Sequence, residues 1–331
     1  MIINVVGGSG FIGTRLCYRL SHIGGSNFSI VDKAPSNSFP NKVKIADVCQ
    51  LDVLRAMIAD GSVIVNLAAE HRDDVRPLSL YDQVNVGGAK NVCTVAREKN
   101  VKTIVFTSSV AVYGFAPINT VESGVIAPFN DYGRTKYEAE QVYKAWQTEA
   151  PDVRTLVIVR PTVVFGEQNR GNVYNLLRQI ASGKFVMVGD GLNRKSMAYV
   201  ENVAAFLQFA TTAFKPGVHI YNYIDKPDSS MNSLVGMVNR MLGKQEQIGL
   251  RLPFAVGYAI GKCFDALVTI TGKKFAISSI RVKKFCSNSV FETSISKTGF
   301  VPPVPLAEAL ERTVRYEFIE SHEGNGVFYT E

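Results

Sequence analysis

Paired cysteines, clustered histidines and long unbroken apolar runs are all missing from this chain of 331 residues. The five cysteines (Cys17, Cys49, Cys93, Cys263 and Cys286) are odd in number and widely separated, and no two stand at Cys-x-x-Cys or zinc-ligand spacing. That pattern excludes a disulfide framework and predicts reduced core thiols in a cytoplasmic protein. His22, His71, His219 and His322 are equally dispersed, so no metal site is expected. Low-complexity tracts and short repeats are absent as well. Hydrophobic residues make up 46% of the chain against 20% charged, which excludes a disordered polymer and leaves apolar material for one large or two closely joined domains. The first apolar run, Met1 to Val6, is cut short by Gly7-Gly8 and has no basic segment before it, so a secretory signal is not expected.

The most apolar later stretch, Pro253 to Ile270, is interrupted by Lys262 and Asp265 and does not read as a lipid span. Val256, Ile260, Cys263, Phe264 and Leu267 recur there at helical spacing and predict an amphipathic helix that packs by that face. Membrane association is not expected; contact with a lipid surface, helped by the flanking lysines, is the alternative. The net charge is +7, and its basic residues are scattered apart from Lys273-Lys274 and Lys283-Lys284. This reads as a solvated surface rather than a nucleic-acid patch, and it suits an anionic small molecule.

Runs rich in β-branched residues at Ile2–Val6, Phe28–Val31, Val43–Ile45, Val63–Leu67, Thr103–Phe106 and Thr155–Val159 alternate with helical patterns. The alternation predicts an α/β fold with a doubly wound parallel sheet. After Pro161 the pattern changes to a helix over Val173–Ser182, a strand at Phe185–Val188, a helix near Val200–Thr211 and shorter elements beyond. The division expected is a first domain over residues 1–165 and a smaller α/β lobe over 166–331, with the chain free to cross between them.

Gly7-Gly8-Ser9-Gly10-Phe11-Ile12-Gly13 lies between the first strand and the first helix. Gly7, Gly10 and Gly13 permit a tight turn, close approach of the backbone to a pyrophosphate, and close packing of helix on strand. The helix N-terminus then offers free N–H groups to the phosphates. Asp32 ends the second strand, where a carboxylate accepts from ribose hydroxyls and repels a 2′-phosphate, so NAD is expected over NADP; the adjacent Lys33 softens that preference. Tyr132-Gly-Arg-Thr-Lys136 places a phenol and an ammonium one helical turn apart, an arrangement expected to lower the phenol pKa and fit it for proton transfer. Thr107-Ser108-Ser109 follows the fifth strand, where hydroxyls face the ligand crevice and Ser109 can meet a reacting oxygen.

With these motifs the chain resembles the extended short-chain dehydrogenase/reductases of the NAD-dependent epimerase/dehydratase family, which act on nucleotide sugars. The resemblance also draws on Leu67-Ala68-Ala69, Asn85, Tyr113-Gly114, Arg160-Pro161, Gly189-Asp190-Gly191, Tyr199-Val200, and Gly299-Phe300 with Leu306 to Tyr316. It implies a Rossmann-type domain with a nucleotide-sugar lobe, and Ser109, Tyr132 and Lys136 as the catalytic trio. It implies that Gly7, Gly10, Phe11, Ile12, Gly13, Asp32, Lys33, Asp47, Val48, Leu67, Ala68, Ala69, Asn85, Thr107, Tyr132, Lys136 and Pro161 surround NAD. Ser109, Asn172, Val173, Val188, Arg194, Lys195 and Arg281 fall where the family holds substrate. Two departures bear on the reaction. Val110-Ala111 replaces the Asp-Glu pair of dehydratases, and Val163 stands where many epimerases have Asn. Lys195 aligns with the usual diphosphate-binding Arg, with Arg194 beside it as a substitute.

The resemblance thus implies a 4-epimerase for a UDP-hexose or UDP-N-acetylhexosamine, working by transient oxidation at C4. The alternatives are an NAD(P)H-dependent 4-keto-sugar reductase and a non-catalytic dinucleotide sensor; Leu252 to Arg281 resembles members that serve surface-polysaccharide synthesis, where both epimerases and reductases occur. His71 and the run Arg72-Asp73-Asp74 read as surface loop residues. The helix with Tyr132 and the one from Leu80 to Arg97 have apolar faces that in relatives form a homodimer.

Overall fold

The runs at Ile2, Val63, Thr103 and Thr155 become strands because they are buried on both faces, as a central parallel sheet requires, while the edge run Val43–Ile45 stays largely exposed. In the computed structural model, which describes residues 1–22, 27–72, 75–271, 278–322 and 326–330, the first half of the chain runs β1 (Ile2–Val6), α1 (Phe11–His22), β2 (Asn27–Asp32), β3 (Val43–Ile45), α2 (Leu51–Met57) and β4 (Val63–Asn66). There follow α3 (Ser79–Tyr81), a π-helical turn (Asp82–Gly87) that leads directly into α4 (Gly88–Glu98), then β5 (Thr103–Thr107), α5 (Asp131–Thr148) and β6 (Thr155–Pro161). The second half runs β7 (Val163–Phe165), α6 (Asn172–Ala181), β8 (Met187–Val188), β9 (Arg194–Tyr199), α7 (Val200–Ala210), β10 (Gly217–Tyr223), β11 (Asp225–Ser230), α8 (Met231–Met241), β12 (Arg251–Leu252), α9 (Phe254–Thr271), α10 (Ser279–Cys286) and α11 (Leu306–Phe318). Asp73-Asp74 and Lys273-Lys274 lie outside the described residues.

Seven strands pair in the order β10-β6-β5-β4-β1-β2-β3, every pairing parallel. This is the doubly wound Rossmann-type sheet that the alternation predicts. Its strand order reverses at β1 and β4, which opens a crevice at their carboxyl ends. One face is covered by α1 and α7, with Leu16, Leu20, Val203, Phe206 and Leu207 in its core. The other is covered by α2, α4 and α5, with Leu54, Val92, Val95, Ala139, Tyr143 and Trp146. Although α7 and β10 lie beyond residue 165, they belong to this large layer.

The remaining elements build a smaller part around a three-stranded sheet, β11-β9-β7, and a two-stranded one, β12-β8. Its core joins Phe165, Leu177, Met197, Leu234 and Leu310. Two sequence expectations fail. Cys17 and Cys93 are core thiols, but Cys49 and Cys263 are exposed. And α9 does not pack by its predicted face: Val256, Ile260 and Leu267 are 45%, 39% and 43% exposed. The helix packs by Gly257 and Gly261 instead, both buried. A β-carbon on Gly257 would lie 2.5 Å from Val188 Cγ1, and one on Gly261 2.7 Å from Ser279 Cα. Glycine lets the backbone of α9 approach β8 and α10 closely, and the bulky residues are left outside.

A buried ion pair ties the large layer together at the site. Arg160 on β6 is 2% exposed and Glu140 on α5 is fully buried. The guanidinium donates to both carboxylate oxygens, Nε to Oε1 at 2.8 Å and Nη2 to Oε2 at 2.5 Å. Ser108 Oγ donates to Oε1 at 2.6 Å, and Arg160 Nη1 donates to the Tyr113 hydroxyl at 2.6 Å. Removing one charge strands the other in a dry core. Glu140→Gln is therefore expected to cost about 3–5 kcal/mol in denaturant unfolding, and adding Arg160→Met to recover part of that loss. A loss below ~1 kcal/mol for the single variant would remove the pair from the account.

Candidate active site

The crevice at β1 and β4 continues into a single cleft of about 1280 Å³ between the large layer and the smaller part. Its cofactor end is shaped by missing side chains. Gly7 has φ +77°, and a β-carbon on it would lie 2.5 Å from Ala68 N; one on Gly13 would lie 2.5 Å from Gly8 Cα. Gly10 meets only Gly7 O at 3.4 Å, so its Cα is bare towards the cleft. Asp32 is held by the Ser9 and Ala34 N–H groups, at 3.0 and 2.9 Å, which fixes a carboxylate where a ribose diol can donate to it. Thr107 Oγ1 is buried without a hydrogen-bond partner and lines the cleft. A dry hydroxyl of this kind calls for a partner from a ligand. Bare glycine backbone, a helix N-terminus, a fixed carboxylate and an orphaned hydroxyl together fit a dinucleotide.

The reacting end depends on Gly133. A β-carbon there would lie 2.4 Å from Ala111 O, so only glycine lets the start of α5 press against the turn Val110–Tyr113 that follows β5. Asn130 caps α5, accepting from Gly133 N at 2.9 Å. Ser109 opens the facing turn, its Oγ accepting from Ala111 N at 3.1 Å, and its hydroxyl stands near enough to Tyr132 to favour the phenolate. Lys136 is buried one turn along α5, with Nζ 4.3 Å from the Phe106 ring centroid.

The electrostatics differ from the simple expectation. Burial raises the Tyr132 phenol above its ordinary value, against the Ser109 hydroxyl that lowers it. Burial also lowers Lys136 to about 7, opposed by the charge of Glu140. The phenol is thus not lowered by a standing ammonium at its side. The water exclusion that brings the pair together penalises both charged forms, and the group that favours the phenolate here is Ser109.

Of the residues expected around the cofactor, all but Asn85 line the cleft, and of those expected at the substrate all but Arg194 do. Asn85 is buried in the π-helical turn, where its side chain bonds Glu70 N, Glu70 O and Thr135 Oγ1 at 2.9, 3.0 and 2.9 Å. These bonds hold the wall after β4 against α5. Arg194 and Lys195 are neighbours on β9, so their side chains point to opposite faces. Lys195 lines the cleft, its Nζ donating to Lys284 O and Ser287 O at 2.8 and 2.6 Å, and burial lowers it to about 8. Arg194 turns out to Asp228 O at 3.3 Å. His71, read from sequence as a surface loop residue near the crevice, is exposed and stands on the cleft lining. Arg178, Lys284, Phe115 and Phe129 also line it. Their single-residue signals in sequence had no spacing pattern to mark them.

Among the described residues the carboxylates that line the cleft are Asp32 and Asp47, both at the cofactor end, while Arg178, Lys195, Arg281 and Lys284 line the other end. Among the described residues no group of His, Cys, Asp or Glu is placed to hold a metal ion.

The NAD dependent epimerase/dehydratase family matches this chain over residues 3–223. The chain belongs to that family. It is an NAD-dependent enzyme. Over 328 residues, 99% of this chain and 98% of the relative, it is 47% identical to the N-acetyl-alpha-D-glucosaminyl-diphospho-ditrans,octacis-undecaprenol 4-epimerase of Escherichia coli O157:H7. It is 25% identical to the UDP-glucose 4-epimerase of Vibrio cholerae, covering 95% of this chain and 94% of that one. In fold it is similar to the UDP-glucuronic acid 4-epimerase of Bacillus cereus in complex with NAD, with TM-score 0.72, 19% identity, and 96% and 98% of the two chains covered. The UDP-glucose 4-epimerase of Thermus thermophilus, in complex with NAD, gives TM-score 0.72 at 19% identity, covering 96% and 99%.

The Lys136 shift sets a stability test in this epimerase-family chain without cofactor. An unfolded lysine titrates near 10.4 and this one near 7 in the folded state, so between those values the unfolded chain holds more protons and stability rises with pH. Below pH 7 the full cost of burying the charge remains. Lys136→Met is expected to raise the melting temperature by a few degrees at pH 6, with the gap over the parent shrinking towards pH 10. A gap independent of pH would contradict the shift.

Proposed function

We propose that this protein is a 4-epimerase for an N-acetylhexosamine joined through a diphosphate to a polyprenyl carrier. The observation that carries the reaction type is the Ser109–Tyr132–Lys136 arrangement in a cleft where, among the described residues, the lining carboxylates are those of the cofactor end. Elimination of water from a sugar calls for an acid at the sugar, and Val110 and Ala111 line the cleft there. The carrier rests on the 47% identity, across essentially the whole chain, to a relative whose name specifies a diphospho-undecaprenol sugar. The four cations at the far end of the cleft suit a diphosphate of either carrier, nucleotide or lipid.

The chemistry supplied by bound NAD is the reversible uptake of the C4 hydride. Tyr132 takes the proton of the sugar 4-hydroxyl as the carbonyl forms, and returns it to the oxygen on reduction from the opposite face. The Ser109 hydroxyl, already near Tyr132, orients that oxygen. Atoms and electrons balance over the cycle, so nothing is consumed. A reductase would share the trio but consume reduced cofactor.

The test is incubation of purified protein, without added NAD, with N-acetylglucosaminyl diphospho-polyprenol and separately with UDP-N-acetylglucosamine. The lipid-linked sugar is expected to convert to the gluco/galacto mixture that is also reached from the galacto side. Conversion of the UDP-sugar alone would overturn the carrier, and stoichiometric loss of NADH with a 4-keto substrate would overturn the reaction. Tyr132→Phe is expected to lower kcat by about 10²–10⁴-fold with NAD still bound; unchanged turnover would remove Tyr132 from the proton transfer.

A further inference from the structure

Among the described residues the outward side of α9 is an unpartnered apolar surface, and the structure assigns it to docking on an anionic bilayer. Phe254, Val256, Ile260, Leu267 and Val268 are exposed along it, as is Ile280 at the start of α10. The glycines that seat the helix leave these side chains outside. Phe254 stacks on Tyr258 with ring centroids 5.7 Å apart, and Lys262 Nζ lies 5.7 Å from the Tyr258 centroid. Aromatic rings backed by lysine are the side chains that settle at the boundary of headgroups and acyl chains. At 18 residues α9 is about 27 Å long, and no helix among the described residues is long and apolar enough to cross a membrane. A helix of this kind lies along the interface.

The surface continues to the mouth of the cleft. Lys283 and Lys284 of α10 sit over the Phe115 and Phe129 rings at 5.1 and 4.7 Å, and those two rings pack on each other at 4.9 Å. Both are partly exposed, and so are Ile118, Val121 and Val125 of the same loop. Since Phe115, Phe129 and Lys284 line the cleft, an apolar, cationic path joins its mouth to the outer side of α9.

Charge decides between a bilayer and a second copy of the chain. The cations along this path are Lys262 on α9 and Lys283 and Lys284 at the cleft mouth, while the carboxylate of Asp265 is turned to the Ser279 N–H at 3.3 Å. Two copies meeting by this face would set like charge against like; an anionic bilayer complements it. The docking rests on the lipid-linked reading only for its purpose, which is to bring the cleft mouth to a substrate whose carrier is in the membrane.

The full chain is sedimented, without substrate, with vesicles of phosphatidylcholine and of phosphatidylcholine/phosphatidylglycerol at about 3:1, a strongly anionic surface. Preferential binding to the anionic vesicles is expected, together with a fall of at least about tenfold for the double variant Ile260→Asp/Leu267→Asp. Both positions are exposed and far from the catalytic groups, and a melt and an NAD-binding measurement verify the fold. Recovery of the parent in the supernatant, or equal binding of the variant, overturns the inference. So does a dimer on gel filtration that the same variant splits, since a second copy then covers the face. Vesicle binding with turnover of UDP-sugar alone sinks the carrier and leaves the docking; turnover of lipid-linked sugar without vesicle binding does the reverse.

Discussion

The position of every reacting group goes back to one buried ion pair. Arg160 and Glu140 join β6 to α5, and the same carboxylate takes Ser108 while the same guanidinium takes Tyr113. The Tyr113 hydroxyl in turn donates to Asn222 on β10 at 2.8 Å. Ser109 is next to one anchored residue, and Lys136 is one turn before the other. Two strands, one helix and the turn after β5 are therefore fixed relative to each other by a pair of buried charges and the groups bonded to them. The cost of burying those charges is offset only while the geometry holds, and this makes the pair a device of position more than of net stability.

The dryness that makes the pair rigid also shapes the chemistry beside it. Tyr132 and Lys136 face the same exclusion of water, and each is pushed towards its neutral form. A site set up this way is not poised by its own side chains. It holds a neutral phenol, a lysine near its midpoint at neutral pH and a fixed hydroxyl, and the ligand completes the field. Thr107, buried and unpartnered at the cofactor wall, fits the same reading.

The sequence made the large layer readable because its signals are short-range and periodic. The runs at Ile2, Phe28, Val63, Thr103 and Thr155 each became a strand of the parallel sheet, and Gly7 to Gly13 fell at the turn where glycine is sterically required. Periodicity did not say which face of α9 is buried. Its bulky face repeats correctly, but two glycines four residues apart allow a closer approach than any bulky side chain does. On β9, alternation requires that only one of Arg194 and Lys195 face the cleft, yet parity is set by the strand's pairing and cannot be read from the two residues. Asn85 was recognised as belonging to the site but not as a positioning residue, since its partners Glu70 and Thr135 are 15 and 50 residues away. Phe115 became part of the cleft only through the fold.

The account turns on hydrogen leaving C4 and returning to the same carbon from its other face inside one cleft. The direct measurement uses N-acetylglucosaminyl diphospho-polyprenol carrying deuterium at C4, incubated with the protein in ordinary water and read by NMR and mass spectrometry. The account predicts a product inverted at C4 that keeps its deuterium there. Inversion with the label replaced by solvent hydrogen, or no inversion at all, would contradict it.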